Sequence, residues 1–450
     1  MRAFCSRTLG CSILVAGLCG SAGAAADEGA PRVEVPSAPE PLLEPPAPAA
    51  KSVATGREAV HKLFARSTDL RIVHDDLKRA EARWRGALAQ VLPQVSATGT
   101  DTFNVILWRD RAKLSDERNY LTGEVAASMP VVDVRAWYAV GTAERAITAS
   151  ALTVTEQRRV LLVGFVSALV AIYTTERVAE IGRTSLQDAI DRRDLAKKRQ
   201  ALGAGTELDV LRTEQDVVNA KATVVANNES VRRARDGLGL ALGDSEPWSV
   251  LPSFTLDDAL AFAKNQCHPV SKLEDRADFA SAQTRIEVAE RTRRQAAQAF
   301  LPTLSVRSSF GGSTNDRALS PSWNMQGLVT FSIWDGGSRY ADLKDTAAQS
   351  DQAAQRYEAL RRRESIELLE TKRAIQVATD ARKLAVDGNE AAIRSDHLIR
   401  EAFANGRGTS LELVTAATAR RQAEINLALR EFELVRAQAL ATLALSRCEP

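Results

Sequence analysis

The chain has 450 residues, with 59 basic and 57 acidic side chains for a net charge of +2, and only 5% of it is aromatic. That balance leaves no electrostatic footprint for nucleic acid, and a composition led by Ala, Leu, Arg, Glu and Gln favours long helices over compact α/β packing. The length suffices for a large core or several domains.

Arg2 and Arg7 precede an apolar run at 13–18, and Ala24, Ala25 and Ala26 supply small residues before Asp27. Basic, apolar and small residues in that order form a secretory signal peptide, residues 1–26; the apolar run is too short to span a bilayer. A competing reading makes Cys19 a lipid anchor, although Leu18 stands where such sites prefer Gly or Ala. Cys5, Cys11 and Cys19 leave with the signal, so the mature chain keeps Cys267 and Cys448, 181 positions apart. They match no zinc or CxxC spacing. An oxidising compartment permits a disulfide between them, and two unpaired thiols is the alternative. Residues 27–55 carry seven prolines, from Pro31 to Pro48, and read as an extended linker, with order expected from Gly56.

The remaining chain repeats itself. Leu92-Pro93-Gln94-Val95-Ser96 returns as Leu301-Pro302-Thr303-Leu304-Ser305, and Gly205-Thr206-Glu207-Leu208-Asp209 as Gly408-Thr409-Ser410-Leu411-Glu412. Pro130-Val131-Val132-Asp133 has its counterpart in Ser332-Ile333-Trp334-Asp335. Landmarks in one order at one offset of about 200 residues indicate a duplication. Repeat 1 spans 56–246, with helix 57–91, strands 93–108 and 120–132, and helices 133–202 and 206–242. Repeat 2 spans 247–450, with helix 256–299, strands 302–311 and 323–334, and helices 336–405 and 409–446.

Residues 133–202 hold no Pro and only Gly141, Gly164 and Gly182 as breakers. As one helix they reach about 105 Å at 1.5 Å per residue, too long to bury inside an ordinary globule, so neighbours are required along the whole length. Within it, Val160–Tyr173 is free of charge but shorter than the roughly 20 residues a membrane helix needs, so it is expected to be a buried stretch of a bundle. Arg361, Arg362 and Arg363, followed by Glu364 and Glu367, look like a solvated helix face.

The strand segments alternate. Val95, Ala97, Gly99 and Phe103 oppose Ser96, Thr98, Thr100 and Thr102, and Asp101 is the polar exception on the apolar side. Leu121, Val125, Ala127 and Met129 oppose Thr122, Glu124 and Ser128, and repeat 2 follows suit. A period of two with one apolar face, over about ten residues, suits strands tilted across a membrane; a soluble sheet with one wet face is the alternative. Trp108, Tyr120, Trp137, Tyr138, Trp323 and Trp334 fall near strand ends, where interfacial aromatics sit. Four strands cannot close a transmembrane barrel, and open edges in lipid leave backbone groups unpaired, so closure must come from sister subunits.

The paired Leu-Pro landmarks, the duplicated helix–hairpin–helix plan and the twin Gly breaks together resemble the TolC-like outer-membrane factors over about residues 56–446. The resemblance implies a mostly α fold with transmembrane β: a homotrimer with a twelve-stranded outer-membrane barrel in lipid and a long periplasmic α-helical barrel. It implies no cofactor, metal or catalytic residue. It further implies a periplasmic adaptor (membrane fusion protein) and an inner-membrane RND, ABC or MFS transporter as partners. Carried over by position, the adaptor-docking tips are Gly203, Gly205 and Thr206, and Gly406, Gly408 and Thr409. The family's pore-narrowing acid falls on Glu412, and its mouth-closing acid on Asp209. Thr415 and Arg212 stand where some members have a second acid. A Tyr–Arg latch would fall near Phe403 and Gly408, with Arg407 displaced by one.

Three carboxylates converging on an axis attract cations; Asp209 and Glu412 also suit a helix N-terminus on dipole grounds alone. The expected function is the passive outer-membrane exit duct of an efflux system for small toxic compounds. The alternatives are the exit duct of a type I protein secretion system and, from another class, a trimeric coiled-coil surface protein. Four solitary histidines (His61, His74, His268 and His397), with no HExxH, GxSxG or P-loop, argue against an enzyme.

Overall fold

The computed structural model describes residues 43–103, 119–251, 261, 267–314 and 320–448. The expected signal peptide with Cys19, residues 104–108 of the expected first strand, and most of 252–266 lie outside them. Contacts separate Met1–Glu44 from Pro45–Pro450, and everything below concerns the latter.

In chain order the elements are β1 Lys51–Val53, α1 Gly56–Arg66, α2 Thr68–Ala89, β2 Gln94–Phe103, β3 Asn119–Val132, α3 Val134–Ala201, α4 Glu207–Ala241 and β4 Trp248–Val250. There follow β5 His268–Pro269, α5 Ala277–Gln298, β6 Thr303–Ser313, β7 Ser320–Thr330, α6 Ser338–Ala404, α7 Ser410–Ala444 and β8 Ser446–Arg447. With 68 and 67 residues, α3 and α6 are each about 100 Å long.

Four boundaries differ from the sequence expectation. The expected linker 27–55 already contains β1, which pairs in parallel with β4. Asp244 fastens this patch, accepting from Lys51 Nζ at 2.7 Å, an Arg66 guanidinium N–H at 2.8 Å and Trp248 Nε1 at 3.1 Å. The helix expected over 57–91 breaks at Ser67, whose hydroxyl accepts from the Leu70 amide at 3.2 Å and starts α2 in a new direction. The helix expected over 256–299 is interrupted over 267–276, and α5 begins at Ala277. Pro269 disfavours helix at His268, and this dipeptide pairs instead with β8. The strand expected over 323–334 ends at Thr330, because its partner β6 begins at Thr303, after Pro302, and offers no further ladder.

The four long strands form one antiparallel sheet in the order β2-β3-β6-β7. Register places Ala97 beside Val125, Val125 beside Phe310 and Phe310 beside Trp323, so the apolar positions of all four strands share a face. That face is open: Val95, Phe103, Met325 and Val329 are 64–72% exposed. The other face is polar, with Glu124 and Arg307 paired at 2.9 Å. Among the described residues, β2 and β7 each have one edge without a strand partner.

The helices keep the order of the strands. Nearer the sheet, α3 packs between α2 and α5, and α5 meets α6; toward the far end, α3 packs between α4 and α7, and α7 meets α6. Between these zones lies the main core. Leu162, Phe165, Val166, Leu169 and Ile172 of the charge-free α3 stretch are buried there against Leu63, Leu238, Trp248 and Leu443. Neighbouring side chains bury one face of this stretch, while Val160, Gly164 and Ala171 on the other stay exposed, so the expected burial holds for that one face. The Cys267–Cys448 disulfide closes the core's edge, tying the chain ahead of α5 to the C-terminal β8. Glu364, expected on a solvated face, is buried with Arg276 at 2.9 Å.

Candidate functional site

The two long hairpins end in turns with the same geometry. Helix α3 stops at Leu202 because Gly203 takes φ 71°, and α6 stops at Asn405 because Gly406 takes φ 78°. A side chain at either position would strain the left-handed backbone. The Ala204 amide donates back to the Arg199 carbonyl at 2.8 Å, and the Arg407 amide to the Ala402 carbonyl at 2.8 Å. At Gly205 and Gly408 a Cβ would lie 3.0 Å from the backbone nitrogens of Gln200 and Phe403, so a larger residue would need the turn to give by a few tenths of an ångström.

The next helix then starts on a reciprocal cap. Thr206 Oγ1 accepts from the Asp209 amide at 3.2 Å, while Asp209 accepts from the Thr206 amide at 3.0 Å. Thr409 and Glu412 repeat this at 3.3 and 2.9 Å. Each cap satisfies two amides that a helix start would otherwise leave open. Hydrogen bonding from the Thr409 amide and hydroxyl holds the exposed Glu412 carboxyl below its ordinary range. Asp209 is held low as well, first by the Ser410 hydroxyl and then by the Thr206 amide. Both acids are therefore charged and turned toward their own helix starts.

The structure brings the two turns together through Arg199, which sequence reasoning did not single out, and through Phe403 and Arg212, which it named in other roles. Arg199, on the last turn of α3, donates to the Phe403 carbonyl and, at 3.1 Å, to the Ala204 carbonyl. Its guanidinium lies 4.4 Å from the centre of the buried Phe403 ring. Arg212 reaches Ser410 Oγ at 3.4 Å. Arg407, named as a gate candidate, is exposed and joins the turn through its amide. A bond from a guanidinium to a carbonyl leaves no pattern of residue types. The one available signal was Arg199 four residues before the Gly203 break, with Phe403 three residues before Gly406.

Further up, charged pairs lock the helices together. Arg192 and Asp216 meet at 2.7 Å between α3 and α4. Asp396 and Arg420 meet at 3.2 Å between α6 and α7. Asp188 of α3 reaches across to Arg400 at 3.2 Å and so couples one hairpin to the other.

Paired helical hairpins about 100 Å long, carrying a sheet with an open apolar face, define a channel-forming protein of the outer membrane, not an enzyme. The chain belongs to the outer membrane efflux protein family, whose sequence profile matches residues 59–244 and 269–446. The sheet is the outer-membrane end and the helices are the periplasmic extension. Outer membrane protein OprJ of Pseudomonas aeruginosa is 26% identical over 261 residues, 56% of this chain and 50% of OprJ. The chain thus spans about half the length of that curated relative. Among solved structures, the outer membrane protein VceC of Vibrio cholerae superposes with a TM-score of 0.74 at 16% identity, covering 87% of this chain and 95% of VceC. The CmeC outer membrane channel of Campylobacter jejuni superposes at 0.75 and 14% identity, covering 92% and 94%.

Proposed function

We propose that this chain is the outer-membrane exit duct of a tripartite efflux system, passively conducting small toxic compounds. Three copies close a twelve-stranded barrel in the outer-membrane lipid. Their helices form the tunnel below it, and an inner-membrane RND, ABC or MFS transporter supplies the energy. The carrying observation is the four-stranded sheet, apolar and exposed on one face and unpaired at both edges, set on two helices of about 100 Å. In lipid such edges must be closed, and four strands are too few to close on themselves.

The turns Gly203–Thr206 and Gly406–Thr409 dock the periplasmic adaptor and shape the mouth. Glu412 contributes the charge of the narrowest ring, and Asp209 and Arg407 act beside it. Two variants separate charge from capping. Glu412→Gln preserves the cap acceptor and removes the charge, whereas Glu412→Ala removes both. In planar bilayers both should lose cation preference and raise cation leak. Unchanged selectivity in both would take Glu412 out of the pore. Protein that stays monomeric and soluble without detergent would overturn the duct itself.

A further inference from the structure

Between the sheet and the main core lie two joined grooves. One has α3 as its floor, at Ala139, Ala143 and Ala146, and both neighbours of that helix wall it, α2 with Ala80 and Arg83 and α5 with Arg285. The other has α5 as its floor, and its α6 wall supplies Arg356 and Tyr357. They enclose about 360 and 310 Å³, within the range of small-molecule sites. Thr153 and Arg285 line both, and Arg285 donates to Thr153 Oγ1 at 3.0 Å, so the two grooves are one trough. Each carboxylate along it is already engaged by an arginine of its own. Asp76 meets Arg79 at 2.7 Å, Glu156 meets Arg159 at 2.6 Å, and Asp278 meets Arg276 at 2.7 Å. Arg83, Arg285 and Arg356 are exposed in the trough and have no carboxylate within 4.0 Å among the described residues. Guanidinium forks beside a floor of alanines suit an anion with a flat apolar body.

Two observations turn the trough toward the lumen. A floor on α3 walled from both sides requires the row α2, α3, α5 and α6 to curve toward this face, and a row that closes into a tunnel curves toward its inside. The aromatic residues agree. Trp137, 57% exposed in the first turn of α3, marks the side that meets the membrane interface. Ala146, nine residues on, lies about 180° around the helix axis from it. Tyr340, exposed in the first turn of α6, likewise stands about 160° from Arg356. Thr153 and Arg356 both lie about 27 Å below the tops of α3 and α6, so the cations share a level.

We infer, on the multi-copy duct proposed above, that this trough is a lumenal binding site for amphipathic organic anions, compounds with a carboxylate or sulfonate beside a flat apolar body. Such compounds then belong to the cargo. The test is equilibrium dialysis of naphthalene-2-sulfonate against the full chain in nonionic detergent, with the oligomer sized independently by light scattering. The matched cation, naphthyltrimethylammonium, is dialysed in parallel. The sulfonate should bind, more weakly as salt screens the guanidiniums, and the ammonium should not. Arg83→Gln, Arg285→Gln and Arg356→Gln combined should weaken the sulfonate about tenfold or more. Arg294→Gln, nine residues on from Arg285 and so about 180° around α5, should leave it unchanged. A trimer whose triple variant binds the sulfonate equally, or that takes up both ions alike, overturns the site and leaves the duct standing. A monomer overturns both.

Discussion

Arg192 and Asp216 form a buried pair across α3 and α4, and one residue along from the matching positions in repeat 2, Asp396 and Arg420 pair with the charges in the opposite order. The separation along the chain is 24 residues in both. Both repeats thus set an acid against an arginine at nearly the same depth, in opposite order and one residue apart, so the requirement is for neutralisation at this depth and not for a given residue at a given place. Removing one partner strands the other charge in the packed interface, which costs about 3–5 kcal/mol. Asp216→Ala or Arg192→Met should therefore lower the melting temperature of the detergent-solubilised protein markedly. The exchanged double variant, Arg192→Asp with Asp216→Arg, should recover most of the loss, because it again sets an acid against an arginine, in the order repeat 2 uses one residue along. A double variant no better than either single would show that the two sites are not equivalent.

Arg199 closes the tips of one chain together by holding both the Phe403 carbonyl and its ring. Burying a cation against an aromatic face adds about 0.5–2 kcal/mol, enough to bias a mouth between two positions. Arg199→Ala should raise the resting current of reconstituted pores several-fold. Arg199→Lys should not restore it, since a single ammonium cannot copy the planar fork that spans the Phe403 and Ala204 carbonyls. A resting current equal to that of the unaltered chain would remove the contact from the gate.

What the sequence disclosed and what it hid follow from how far each signal reaches. The uninterrupted stretch after Asp133 announced α3, because absence of Pro over so many residues is a cumulative signal. Alternation placed Val125, Phe310 and Trp323 on one face, since a strand's period of two survives without knowledge of its partners. Three-residue β1 and two-residue β5 carry no period, and both are set by distant partners, Trp248–Val250 and Ser446–Arg447. Ser67 interrupts a run that remains apolar in pattern on both sides, so only its cap geometry betrays the break. In the site, the Gly breaks and the two acids were legible as a repeated motif. Arg199, Asp188 and the buried Arg192–Asp216 pair were not, because each acts across helices whose relative height no sequence states.

In the proposed duct, Asp209 and Glu412 give the mouth a response to acid of predictable sign. Their folded carboxyls titrate below the ordinary range, through bonds from Ser410 and from the cap residues Thr206 and Thr409. For a lowered carboxylate, the cap's contribution is complete above the unfolded value of about 4 and is lost as pH falls through the folded one. Cation preference should accordingly be flat from pH 7 to 5 and collapse only in stronger acid. Glu412→Gln should show a smaller collapse over that last interval. A midpoint near pH 6 for the unaltered pore would mean that another group controls selectivity.

The Cys267–Cys448 bond is the covalent tie between the chain ahead of α5 and the C-terminus, closing a loop of 181 residues. It stands beside the two-residue ladder of β5 with β8, which alone is too short to hold. By restricting the unfolded chain, a bridge over a loop of this size contributes about 2–4 kcal/mol. Cys448→Ser should lower the melting temperature of the purified protein, and reductant should lower that of the unaltered chain by the same amount while leaving the variant unmoved. Both sulfurs are buried, Cys267 at 4% and Cys448 at 2% exposure, so reductant should act only once the neighbourhood opens. Reduction at room temperature should therefore be slow and should accelerate steeply on approaching the melting transition. Rapid reduction of the native protein in the cold would place the bridge at an open edge instead of in the core.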